Sequence, residues 1–349
     1  MAQINKPSLY FNTKLYAGND STNNITGVGF QPDWVWIKNR SNSSSYNTFD
    51  AVRGATKGLY TNATDAEETV ANRLSAFDSD GFTINGDTSN QTNASGSNFA
   101  SWNWKANGQG SANSDGTFAT TYTSANQTAG FSISKFTVSG SGNVSFGHGL
   151  GAKPKVVITK STSHTTNWNV YHEDLSASPE NNFLYLNSTA AKGTSTDVWG
   201  DGMTNSVVGL GVGIGVSVGR TYVAYCFAEK KGYSKFGSYT GNANANGTFV
   251  YTGFVPAFVL IKSTASSTNW AIIDNKRPGY NPANAAGNVL FANTNAAESS
   301  SATRGADFLS NGFKVRGTNN DVNGTSEITY MAFAENPIVG TNNIPATAR

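Results

Sequence analysis

The sequence predicts an all-β protein built as three tandem antiparallel β-sandwich domains of jelly-roll or lectin-like type. Three observations point there. Charged residues make up only 13% of the 349 residues, while 37 Gly and many Asn, Ser and Thr separate short apolar runs, as in a turn-rich β protein. Those runs are four to eight residues long, bounded by Gly, Asn, Asp, Ser or Pro, and enriched in β-branched and aromatic side chains. With 20 Phe, 14 Tyr and 7 Trp, the chain has enough apolar area to offset the entropy of folding. The third observation is internal repetition.

"GFQPDWVWIK" at 29–38 returns as "GLGAKPKVVITK" at 149–160 and "GFVPAFVLIK" at 253–262. Pro32, Pro154 and Pro256 are each followed six residues later by Lys38, Lys160 and Lys262. Eight residues beyond each lysine stand Tyr46, Trp168 and Trp270, and twelve beyond stand Asp50, His172 and Asp274. Asn62, Asn187 and Asn293 align next, within "LYTN", "LYLN" and "LFAN". Each copy closes on "FASWNWKA", "YVAYCFAE" or "ITYMAFAE". Five landmarks in one order, three times, divide the chain into repeat 1 (1–106), a Gly/Ser/Asn/Thr-rich linker (107–130), repeat 2 (131–231), repeat 3 (232–336) and a C-terminal tail (337–349).

Within each repeat the proline ends a loop, because it has no N–H to donate, and a strand begins after it. Residues 34 and 36 face one way and 35 and 37 the other. Both sets are apolar, which fits a central strand covered on each side by core, loop or neighbour. The lysine should return the chain to water. Asp-Gly or Asn-Gly at 80–81, 201–202 and 311–312 suits tight turns. A weak helical period at 64–77 predicts a short helix in the first copy alone. The domains are expected in series, the second and third touching because only "KKG" joins them.

Net charge is +2 and no basic tract is long enough to follow a phosphate backbone, which argues against nucleic acid as a partner. No apolar run approaches a membrane span, so no membrane insertion is expected, and the N-terminus lacks the pattern of a signal peptide, which implies synthesis in the cytoplasm. The single cysteine, Cys226, reads as a buried small hydrophobe. His148, His164 and His172 all lie in the second copy, so no metal site common to the repeats is expected. No cofactor fingerprint and no catalytic constellation appears. Asp50 and Asp274 read as turn acceptors, since a carboxylate pair for sugar hydrolysis does not recur. The alternating glycines of "VVGLGVGIGVSVGR" (207–220) mark a strand face open to close backbone approach. Tyr46, Trp168 and Trp270 are either packing aromatics or candidate stacking platforms for a glycan.

The stretch "LYFNTKLYAGN…ITGVGFQPDWVWIKNRS", with "FDAVRGATKGLYTN", "AFDSDGFT" and "FASWNWKA", resembles a repeat domain of undefined role found in virion proteins of tailed bacteriophages, marine phages especially. The likeness is close in copy one, weaker in copy three and loosest in copy two, where "VRGATK" has no counterpart. It carries over no catalytic residue. What it implies is a non-enzymatic virion structural protein at the particle surface, a tail-fibre or appendage component, with other virion proteins as partners and homo-oligomeric assembly. Capsid decoration and host-glycan (receptor) binding are the alternatives.

Overall fold

In the computed structural model, which describes residues 3–214, 216–277 and 287–339, the chain is all-β, with antiparallel pairing throughout its named strands. The large sheets share one strand order. In the first, the opening strand Phe11–Ala17 pairs with the closing strand Asn98–Trp104, which pairs with the proline strand Trp34–Asn39, followed by Asn47–Asp50, Lys57–Tyr60 and Glu68–Thr69. The third sheet repeats this with Ser234–Thr240, Glu327–Pro337, Phe254–Ser263, Ala271–Asp274, Gly287–Phe291 and Ser299–Ser301. The second sheet does so with Phe131–Thr137, Thr221–Phe227, Val156–Ser161, Asn169–His172, Asn182–Tyr185 and Gly193–Thr194, and adds Tyr122–Asn126 at its edge. Three small sheets of two or three strands accompany them.

Alternation along the proline strand sorts its side chains into two different cores. Val35 and Ile37 join Ile25, Phe82 and Ile84 of the neighbouring small sheet, and Val157 and the pair Val259 and Ile261 do the same in the second and third sheet pairs. Trp34 and Trp36 turn the other way. They enter one aromatic core with Val156, Ile158, Phe258 and Leu260, contributed by all three large sheets. The sheets therefore do not lie in series: each packs its second apolar face on the other two. Trp34 stacks on Tyr225 at 4.4 Å between ring centroids, Phe11 on Phe333 at 5.2 Å, and Phe227 meets Phe236 at 6.1 Å, which closes the circuit from first to second to third sheet. The accessible surface of 12010 Å² matches that closure. Area scaling gives about 13,600 Å² for one compact body of this mass and about 18,000 Å² for three separate ones.

Several sequence expectations give way. No helix forms at 64–77; the stretch holds Glu68–Thr69 and Leu74–Asp78, because the N–H of Glu67 and the carbonyl of Thr64 are taken by strand-like bonds to the second sheet pair. The segment 107–130, expected as a flexible or loosely strand-like linker, is strand in part: its Tyr122–Asn126 extends the second large sheet and Phe118 is buried. Pro256 lies inside its strand at a register shift, where a missing N–H is tolerated. The glycine face ends at Leu210; carbonyls of Trp199 and Asp197 lie 2.4 and 2.5 Å from where a Cβ on Gly209 and Gly211 would stand, so close backbone approach is what those glycines permit. Gly215 and tail residues 340–349 lie outside the described residues.

Candidate functional site

The landmarks that recur in the sequence come together at the three seams between the sheet pairs. Lys38, Lys160 and Lys262 do not return to water; all three are 0% exposed. Each ammonium donates to a carbonyl of the preceding sheet pair in the circuit: Lys38 to Asn295 at 3.0 Å, Lys160 to Thr64 at 3.1 Å and Lys262 to Thr189 at 3.2 Å. Carbonyls of the lysine's own loop complete each cage, for example Ser44 at 2.7 Å from Lys38 and Ser263 at 2.9 Å from Lys262. The same three acceptors also receive the backbone N–H groups of Ser44, Thr166 and Thr268, at 2.8 to 2.9 Å. A buried cation without a carboxylate is tolerable only when such dipoles replace its water.

The aromatics are inside as well. Tyr46 and Trp168 are 0% exposed and Trp270 is 4% exposed, so their ring faces are covered and offer no platform to a sugar. Trp168 and Trp270 donate their indole N–H across the seam to the carbonyls of Tyr60 and Tyr185, both at 2.9 Å. Tyr46 fills the matching place in the first sheet pair, yet its buried hydroxyl has no partner among the described residues. The side-chain oxygens of Asn62, Asn187 and Asn293 accept from the backbone N–H of these aromatics at 2.8 Å in each case.

Asp50 and Asp274 accept turn N–H bonds from Arg53 and Arg277, at 2.8 and 3.0 Å. Their other oxygens do more. Asp50 pairs with the Arg53 guanidinium at 2.5 Å and accepts from the Tyr225 hydroxyl of the second sheet pair at 2.7 Å. Asp274 pairs with Arg277 at 2.6 Å and accepts from the Trp102 indole of the first at 3.0 Å. Arg53 also reaches Glu67, and Arg277 reaches Glu298 at 2.8 Å, which Arg40 meets from across the seam at 2.7 Å. Glu298 thus stands where Glu67 stands, each five residues past the aligned asparagine, within "ATDAE" and "TNAAE". His172 takes the slot in the second sheet pair, its Nε2 3.1 Å from the carbonyl of Tyr330, and burial holds its pKa below the usual histidine value. Each of these carboxylates is engaged by a cation, which leaves none positioned as a free acid or base.

Burial pulls the Lys38 ammonium down to about 7, and Lys160 and Lys262 down to about 8. A lysine in the unfolded chain titrates near 10.4, so between roughly pH 7 and pH 10 the unfolded state binds more protons and stability rises with pH; below that window the gain is absent. The thermal midpoint should therefore climb from about pH 7 to about pH 9, and Lys262→Met should flatten the climb. A midpoint that stays level over that range would mean that the carbonyl cages keep the ammonium groups charged.

Among the described residues open clefts remain between sheet pairs: one of 500 Å³ is lined by Asn12, Thr13, Lys14, Leu15, Gly27 and Lys276, and there are two others. One, of 220 Å³, lies between Phe11, Asn12, Thr13 and Ala257, Asn275, Lys276. The other, of 710 Å³, lies at the junction of the second and third sheet pairs and is lined by Lys153, Lys155, Lys231, Lys235, Glu229 and Tyr251 among others. Sequence reading missed this last cleft, whose lysines are scattered over more than eighty positions. Among the described residues no group of three His, Cys, Asp or Glu side chains could hold a metal ion, and no helix is long and apolar enough to cross a membrane.

Residues 6–337 match the family described as Domain of unknown function (DUF7483), and the chain belongs to that family. No curated protein and no solved structure matches it.

Proposed function

We propose that this family member is a non-enzymatic structural protein of a bacteriophage particle, a surface-exposed tail-fibre or appendage component, made of three copies of one sandwich unit. One observation carries the reading: the side chains that recur in all three copies are spent on joining the copies. Lysine, aromatic, asparagine and the aspartate or histidine slot each make a seam contact or support one. Residues kept for catalysis would instead converge on an open site with a free acid, base or nucleophile. A body of low charge with most of its large aromatics internal suits a durable exterior part, and the resemblance of the first copy to phage virion repeats supplies the location.

The face of Trp34 and Trp36 is covered within the chain. Assembly with other virion proteins or with further copies would use outer edges instead, such as the strand Phe11–Ala17 at the rim of its sheet. Capsid decoration is the second reading, favoured by the cyclic arrangement of three similar units, which matches a threefold position in a shell.

Cryo-EM or gold labelling of purified particles tests the proposal. Density or label at the tail is the expected result, and label at the head selects decoration. A protein absent from particles overturns both.

A further inference from the structure

We infer that the 710 Å³ cleft between the second and third sheet pairs is a binding site for an acidic saccharide, with Tyr251 as its stacking platform and Lys153, Lys155, Lys231 and Lys235 as its anion contacts. This goes beyond the structural role proposed above and stands without it, since binding by the isolated chain does not depend on where the protein resides.

Tyr251 differs from every aromatic that the sequence singled out: it is 59% exposed. It ends the strand Phe249–Tyr251, on which Val250 turns into the core while Phe249, on the same outward face as Tyr251, is 42% exposed. Gly253, two residues on, has φ +81°, a conformation that favours glycine. The backbone that follows Tyr251 is fixed, because the N–H groups of Thr252 and Gly253 both donate to the carbonyl of Asn311, at 3.0 and 3.1 Å. An exposed aromatic ring lining a cleft suits a sugar ring, which presents an apolar C–H face and polar edges.

The cleft wall supplies the polar contacts. Lys153 and Lys155 share Glu173, at 3.4 and 2.8 Å, and Lys235 pairs with Glu229 at 2.9 Å, so the four lysines outnumber the two carboxylates beside them by two. Lys231 sits on the connector between the second and third sheet pairs, whose backbone is pinned where its carbonyl accepts from the Ile4 N–H at 3.0 Å. Such a mixed wall attracts a ligand with widely spaced negative charges, while its carboxylates accept from sugar hydroxyls. It disfavours nucleic acid, which carries a phosphate at every residue and calls for a continuous positive track. The volume falls within the roughly 300–1,000 Å³ of small-molecule sites, room for about two or three sugar rings.

Calorimetric titration of the purified full chain tests the inference with four probes: a galacturonic acid trisaccharide, a phosphorylated trisaccharide, neutral galactotriose and a thymidine oligonucleotide. Binding of one or both acidic saccharides, weakening with salt, is expected, and which of the two binds distinguishes carboxylate from phosphate. Tyr251→Ala should weaken that binding about tenfold and Tyr251→Phe should retain it. The double variant Lys153→Gln, Lys231→Gln should lower both the affinity and its salt dependence. These side chains lie at the surface, and an unchanged thermal midpoint confirms that the variants fold. Failure of both acidic saccharides to bind overturns the inference, as does equal binding of galactotriose, tighter binding of the oligonucleotide, or affinity unchanged in Tyr251→Ala.

Discussion

Trp34→Ala should remove about 4 kcal/mol of stability, near the middle of the range for truncating a buried Trp or Phe. Trp34 is 2% exposed and its ring lies 4.4 Å from both Trp104 of its own sheet and Tyr225 of the second, with Phe131 at 5.9 Å. Alanine opens a void where two sheets meet. The indole N–H also donates to the Thr48 hydroxyl, which would lose its partner. The size of the thermal shift reports what unfolds. If all 349 residues melt together, 4 kcal/mol spread over their unfolding entropy lowers the midpoint by about 5 °C; if the first 106 residues melt alone, the drop is about 18 °C in one third of the heat. Scanning calorimetry should record the smaller shift of a single transition. Val35→Ala, one residue on, empties the local core instead and serves as the comparison.

Arg277→Met is the second large effect, about 3–5 kcal/mol. The arginine side chain is 1% exposed and holds Asp274 at 2.6 Å and Glu298 at 2.8 Å, with a further bond to the Ile272 carbonyl at 2.9 Å. Methionine fills much of the space but leaves two carboxylates with less compensation, one of them fully buried. Removing the stranded charge should therefore recover stability: Arg277→Met with Asp274→Asn is expected to be more stable than Arg277→Met alone, since an amide costs less to bury than an unpaired carboxylate. Urea unfolding of these two variants and of Asp274→Asn alone makes the comparison. A double variant that loses the sum of the two single losses would show that the pair is uncoupled and the seam network incidental.

The strand itself was legible in the sequence. The alternation of Trp34, Val35, Trp36 and Ile37 announced two apolar faces, and the structure covers both. What covers them was not legible, because periodicity reports that a face is apolar without naming its neighbour. The lysines show the same limit. A lysine at a strand end ordinarily marks the way back to solvent, and the carbonyl that meets Lys38 belongs to Asn295, more than 250 positions away. The spacing of Lys, aromatic and Asn was correct as a pattern and silent as to purpose; only the closed circuit turns it into a set of seams. The helical period at 64–77 misled because Leu74 and Phe77 sit on either side of a register shift between Leu74 and Ala76, which moves two apolar residues onto one face of a strand pair. As for open sites, aromatic spacing led to Tyr46, Trp168 and Trp270, which are interior, whereas Tyr251 has no recurring counterpart to draw attention to it.

The central claim is that three sheet pairs share one aromatic core and hold one another folded. The ratio of calorimetric to van't Hoff enthalpy for the intact chain tests it most directly. A ratio near one, from a single transition, is the predicted result. A ratio near three, or three resolved transitions, would mean that each sheet pair is stable alone and that the core around Trp34, Tyr225 and Phe333 contributes little to holding them.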